Sequence, residues 1–145
     1  MKALLQRVSE ARVSVGDEVV GEIGPGLLVL LGLDKGDDAT AASRMLDKLL
    51  AYRVFSDADG RMNCSVADVE GGVLLVSQFT LSADTRKGLR PSFSSAMPPA
   101  EAEALYGEVL AQLRQRHSAV AAGRFGADMQ VSLVNDGPVT FLLET

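Results

Sequence analysis

Two stretches of this chain are apolar without a break, Leu27-Leu28-Val29-Leu30-Leu31-Gly32-Leu33 and Val73-Leu74-Leu75-Val76. A strand with one face in water alternates apolar and polar residues, and neither stretch does. Each therefore reads as a strand covered on both faces. Helices supply cover. Ala42, Met45, Leu46, Leu49 and Leu50 recur at helical spacing and stop near Tyr52, behind a charged loop, Asp34 to Asp38, suited to capping. Pro98-Pro99 opens a second helix, since proline is tolerated in a first turn. Ala102, Leu105, Tyr106, Val109, Leu110 and Leu113 form its apolar face. Leu4 to Val15 is rich in β-formers, and Val13 to Val20 reads as a hairpin turning at Gly16-Asp17. A short strand is expected at Arg53-Val54-Phe55. Met129, Val131 and Leu133 alternate with Gln130 and Ser132 as a half-buried strand, and Val139 to Leu143 follows as the last. Roughly seven strands and two helices in 145 residues make an α/β fold. The expected architecture is a single compact domain, residues 1–145, whose curved mixed β-sheet and barrel-like core are covered by two helices.

Composition narrows the function. The net charge of −5 disfavours extended binding to nucleic acid, DNA included, which depends on neutralising many phosphates. It leaves room for an enzyme that grips one end of an RNA. A local basic group stands at Arg86, Lys87 and Arg90, in a loop from Ser82 to Met97 that is long for a compact domain. The single cysteine, Cys64, forms no internal disulfide and suits a reducing compartment. Met1 to Arg7 turns polar too early for a secretory leader, and no apolar run approaches the roughly 18 residues of a membrane span. A cytoplasmic protein with no membrane partner is expected.

Several chemistries are poorly provided for. The Gly21, Gly24 and Gly26 cluster is followed by a strand rather than a helix, which removes the dinucleotide-loop reading. Asp57-Ala58-Asp59-Gly60 begins like a calcium loop, but Arg61 and Met62 occupy positions that need a ligand and a glycine, so a surface turn is expected. With one histidine and one cysteine, a His- or Cys-based metal site is not expected. His117 falls near a helix C-terminus, where it complements the dipole, and Cys64 lies in a polar turn region without a neighbouring base. No metal and no cofactor are expected.

Backbone groups and hydroxyls remain. Ser77-Gln78-Phe79-Thr80-Leu81 ends the second apolar strand, and Asn135-Asp136-Gly137-Pro138-Val139-Thr140 separates the last two strands. By itself the second motif is a β-turn, in which glycine lets another backbone approach and proline fixes φ. Thr80 and Thr140 follow strand ends expected to lie side by side. Main-chain N–H groups near Phe79 and Thr80 would form an oxyanion hole without a titratable residue. Ser77 and Thr80 equally fit ordinary strand polarity, and Phe79 equally fits a core position.

The two motifs together, in this order and at this separation, resemble the signatures of the D-aminoacyl-tRNA deacylases. The likeness extends to Leu5-Gln6-Arg7-Val8, Tyr52 to Asp57, Arg90-Pro91-Ser92-Phe93-Ser94 and Gly123-Arg124-Phe125. It implies hydrolysis of the ester joining a D-amino acid, or glycine, to the 3′ end of tRNA. It also implies a homodimer with sites at the subunit interface, where a cis Gly137-Pro138 peptide enters the partner's site. The residues implied for catalysis are Ser77, Gln78, Phe79 and Thr80. Those implied for the substrate are Asn135, Gly137, Pro138, Val139, Thr140, Phe125 and Arg7. In this reading L-residues are rejected by a clash with the Gly-Pro backbone. The backbone N–H groups, rather than Thr80 as a covalent nucleophile, then hold the oxyanion, because nothing obvious activates Thr80. A non-catalytic module for RNA ends and a hydrolase for other aminoacyl esters are the alternatives.

Overall fold

A computed structural model describes residues 1–145. In chain order the elements are β1 (Lys2–Val15), β2 (Glu18–Ile23), β3 (Gly26–Gly32), α1 (Ala39–Ala51), β4 (Phe55–Ser56) and β5 (Met62–Cys64). They continue with β6 (Gly72–Ser77), a 3-10 turn (Phe79–Ser82), α2 (Pro99–Arg116), β7 (Val120–Ala122) and β8 (Gln130–Glu144). Six strands form one mixed sheet in the order β2-β1-β3-β6-β7, with β8 also paired to β1. β1 organises it. Its first half pairs with β3 and its second with β2, while β8 runs antiparallel along nearly its whole length. β3, β6 and β7 are parallel to one another.

The sheet curls until it is nearly closed. β2 comes so near β7 that a Cβ at Gly21 would lie 2.6 Å from the Ala122 carbonyl oxygen. Curvature divides the core in two. Leu27, Val29 and Leu31 of β3 and Val73 and Leu75 of β6 face α1 and α2, in a cluster that also holds Met45, Leu46, Leu49, Val109 and Leu113. The alternate residues, Leu28, Leu74 and Val76, join Val8, Ala11 and Val13 inside the barrel. Burial on both faces explains why these two strands are apolar up to Ser77, where β6 ends.

Local chemistry fixes the helices. Asp38 caps α1 by accepting a hydrogen bond from the Ala41 N–H at 2.9 Å. Arg116 of α2 reaches α1, donating to the Ser43 carbonyl, the Ser43 hydroxyl and Asp47 at 2.7–2.9 Å. Tyr106 holds α2 to β6 through its hydroxyl on the Leu75 carbonyl at 3.1 Å, and burial pushes the phenol up to about 12. His117 caps α2, and its Nε2 lies 2.6 Å from the Gly71 carbonyl oxygen.

Five sequence expectations need correction. The short strand after α1 is Phe55–Ser56, leaving Arg53 and Val54 outside it, and its partner is Met62–Cys64, so Cys64 ends a strand rather than lying in a turn. The second apolar strand ends at Ser77, because the chain winds into a 3-10 turn from Phe79. Of the alternating set near the C-terminus, Met129 and Leu133 pack on the inner core but Val131 is exposed. Most importantly, Gly137-Pro138 is not a hairpin turn. Both halves of β8 pair with β1, Val134 opposite Glu10 and Thr140 opposite Gln6, so the motif is an irregularity within one strand.

Candidate functional site

The carboxyl ends of the parallel strands β3 and β6 open onto a cavity of about 540 Å³. This is where ligands collect on parallel sheets, because the segments leaving the strands diverge there. Leu31 and Leu33 of β3, Ser77, Gln78 and Phe79 after β6, and Ala102 at the start of α2 contribute to its lining. Phe93 and Met97 of the long loop, Pro98 at the N-cap of α2 and Phe125 after β7 complete much of the wall. A smaller hollow, about 230 Å³, lies between Arg12, Glu22 and Ser132 and includes no residue of either motif.

The first motif forms one wall. Gln78 is pinned where the strand ends, its N–H on the Leu31 carbonyl at 2.7 Å. The first bond inside the 3-10 turn runs from the Leu81 N–H to the Gln78 carbonyl at 3.2 Å. The N–H groups of Phe79 and Thr80 precede it and have no carbonyl within the turn to bond, the usual condition at a helical start. Phe79 is 60% exposed, which removes the core-packing reading. Its ring leans on Phe93 with centroids 5.1 Å apart, and Phe125, also in the lining, packs against Tyr106 at 5.7 Å. Thr80 is not part of the lining, and its hydroxyl accepts a hydrogen bond from the Gln78 side-chain amide. No base stands beside it.

The second motif is built as a rigid protrusion. Between the pairs Gln6–Thr140 and Val8–Asn135, β1 advances two residues and β8 five, so β8 must bulge. Gly137 takes φ +130°, a conformation that favours glycine, and its bond to Pro138 is cis. Arg7 braces the bulge. Its Nε donates to the Asp136 carbonyl at 3.2 Å and lies 3.4 Å from the Asp136 carboxylate, while its NH1 donates to the Val54 carbonyl at 2.8 Å. The Asn135 amide closes the base of the bulge, donating to the Arg7 and Val139 carbonyls at 2.9 and 3.0 Å. Thr140 donates in turn to the Asn135 amide oxygen at 3.2 Å. Val139 is buried in the main core and supports the bulge from beneath.

One chain does not bring the two motifs together. β8 is separated from β6 by β1 and β3, and Thr140 is level with Gln6, Leu28 and Leu74, three residues short of Ser77. The expectation that the ends near Thr80 and Thr140 lie side by side is therefore corrected. Arg7, Asn135, Gly137, Pro138, Val139 and Thr140 form one constellation, and Ser77, Gln78, Phe79 and Phe125 another. The basic loop is also less cationic than it reads. Arg86 forms a bidentate pair with Asp84 at 2.7–2.9 Å, whose hydrogen bonds hold the Asp84 carboxyl well below its usual range.

Lys35, in the loop after β3, is a charged lining residue that the sequence did not single out. The available signal was its place immediately after a doubly covered parallel strand. No group of three or more His, Cys, Asp or Glu side chains is gathered to hold a metal ion. No helix is long and apolar enough to cross a membrane.

Fold and cavity thus define a class, a small α/β barrel with an aromatic-walled pocket at its parallel strand ends, served by main-chain donors. Comparison with known proteins identifies which. The family model described as D-Tyr-tRNA(Tyr) deacylase matches residues 4–144. The D-aminoacyl-tRNA deacylases of Azotobacter vinelandii and Cellvibrio japonicus are 65% and 63% identical over 99% of both chains. That of Stutzerimonas stutzeri is 64% identical over the full length of both. Among solved structures, one described as a c-Myc DNA unwinding element binding protein superposes with a TM-score of 0.96 at 44% identity, covering 100% of this chain and 99% of that one. A probable eukaryotic D-amino acid tRNA deacylase shares the fold, with a TM-score of 0.83 at 19% identity over 98% and 97% of the two chains. The chain belongs to the D-Tyr-tRNA(Tyr) deacylase family, and it is a hydrolase with D-aminoacyl-tRNA deacylase activity.

Proposed function

We propose that the cavity receives the 3′-terminal aminoacyl-adenosine of tRNA and releases a D-amino acid or glycine by hydrolysis of its ester. The observation that carries this reading is the first motif's wall, where the 3-10 turn begins with N–H groups at Phe79 and Thr80 that have no carbonyl within the turn, beside an exposed aromatic pair. Aromatic faces accept a base without reading its sequence. Water adds to the ester carbonyl, the N–H groups hold the developing oxyanion, and the bond to the ribose oxygen breaks as that oxygen regains a proton. The neighbouring ribose 2′-OH assists the water, since no titratable side chain with a base's chemistry lines the cavity apart from Lys35.

Chirality is read by the bulge of a second copy of the chain. In a homodimer the braced Gly137-Pro138 backbone of one protomer enters its partner's cavity, and its carbonyls orient the substrate's amino group. An L side chain is driven into that backbone, whereas a D-residue or glycine presents only hydrogen. The separation of the two motifs within one chain supports this composite site. The reaction belongs in the cytoplasm, where charged tRNA is used. The net charge of −5 favours a grip on one RNA end over an extended DNA interface.

The test is hydrolysis of D-Tyr-tRNA, L-Tyr-tRNA and Gly-tRNA by substoichiometric protein, repeated with Thr80→Ala. Loss of the D and glycyl esters with the L ester spared, and most activity kept in T80A, is the expected result. A folded T80A protein without activity would return Thr80 to the nucleophile's role. Stoichiometric binding without turnover would make the protein a module for RNA ends.

A further inference from the structure

Lys35 is the only ionised side chain lining the cavity; no carboxylate accompanies it. Its sequence neighbours make this unexpected, because Asp34, Asp37 and Asp38 surround it. Each is engaged elsewhere. Asp34 binds the Met1 ammonium at 3.0 Å and Lys2 Nζ at 3.1 Å. Asp37 binds the same ammonium at 2.9 Å and accepts from the Asp34 N–H at 2.7 Å. Asp38 caps α1. Lys35 itself forms no ion pair. Its backbone is fixed nonetheless, with its N–H on the Ser95 carbonyl at 3.0 Å and an adjacent bridge between Asp34 and Ala96. The fold thus holds an exposed lysine without an ion-pair partner in the lining of an apolar pocket, in an acidic protein.

We propose that Lys35 is a positioning residue that binds the phosphodiester joining the terminal nucleoside to the rest of the tRNA. This inference rests on the reading of the cavity as the site for the aminoacylated 3′ end. Of the groups at that end, the amino group is cationic and the ester, ribose and base are neutral. The phosphodiester is the nearest anion, so it is the only group the ammonium attracts strongly. Contact there sets the direction of entry: the phosphate stays at the β3–α1 loop while the ester reaches the N–H groups of Phe79 and Thr80. Lysine suits the task as a point charge on a flexible stem.

The experiment compares D-Tyr-tRNA with 3′-O-(D-tyrosyl)adenosine, which carries the same ester and no phosphate, in wild type, K35A, K35R and K48A. Lys48 is an exposed lysine of α1 outside the cavity, so K48A removes the same charge elsewhere. K35A should raise KM for the tRNA about tenfold at unchanged kcat, the pattern of lost ground-state binding. Its preference for the tRNA over the adenosine ester should shrink by the same factor. Its log–log salt dependence should fall by about 0.7, one phosphate contact on a single strand. K35R should recover most of the loss, and K48A should behave as wild type. Equal losses on both substrates, a fall confined to kcat, or K35A indistinguishable from K48A would overturn the assignment while wild-type turnover keeps the function. A wild type inert towards every D ester would overturn the function and this inference together.

Discussion

Arg7 shows how much of this site depends on a residue away from the cavity. Its side chain is only 14% exposed and joins three segments: β1 from which it projects, the Val54 carbonyl after α1, and the Asp136 carbonyl in the bulge. A planar guanidinium reaches both carbonyls at once, which the compact ammonium of lysine does not. Hydrogen bonds involving a charged partner contribute about 1.5–3 kcal/mol each, less where water competes as it does at Asp136. Arg7→Ala is therefore expected to lose about 2–3 kcal/mol in urea unfolding, with Arg7→Lys recovering little. The functional readout is chirality: a loosened bulge should raise hydrolysis of L-Tyr-tRNA relative to D-Tyr-tRNA. An R7A protein of wild-type stability and discrimination would show that the bulge needs no brace.

The β3–β6 pair makes a prediction of its own. Gly26 lies opposite Gly72 at the start of the parallel ladder, and a Cβ on Gly26 would press into the Gly72 backbone, with its N and C at 2.6 and 2.7 Å. Backbone cannot rotate away as a side chain can, so Gly26→Ala should destabilise by about 3 kcal/mol, the upper range for overpacking. Gly24, two residues earlier, meets nothing within 4 Å, and Gly24→Ala should be neutral or stabilise by up to about 1 kcal/mol. Equal melting temperatures for the two variants would refute this account of the ladder. Sequence alone distinguishes these glycines poorly, because the decisive contact comes from a distant strand. The same limit explains the errors at Gly137-Pro138. Glycine and proline break a regular ladder in a hairpin and in a bulge alike, and the choice was made by β1, whose fourteen residues pair with both halves of β8. What was legible were patterns that burial writes locally: the two apolar strands, the helical stripes and the Gly16-Asp17 turn. Lys35 was not, since nothing in its acidic surroundings announces an unpaired charge.

At the scale of the molecule, β8 raises the question of what covers it. This fifteen-residue strand pairs only with β1, and Val134 and Leu142 along it are each about half exposed. Long apolar edges are normally blunted or covered, because their free backbone groups and side chains recruit another strand. The Gly137-Pro138 bulge interrupts this same strand, so a second copy docking on β8 would also be the copy that receives the bulge. Light scattering should accordingly give about 31 kDa, twice the chain's 15.3 kDa. Val134→Lys with Leu142→Lys places two charges on that edge and should yield folded monomers, because neither side chain belongs to the buried core. If the chiral filter comes from the partner, those monomers lose discrimination between D- and L-Tyr-tRNA even though Gly137, Pro138, Arg7 and the whole cavity wall are intact. A monomeric double variant that still spares the L ester would place the filter within one chain, which would require the bulge to reach a cavity two strands away.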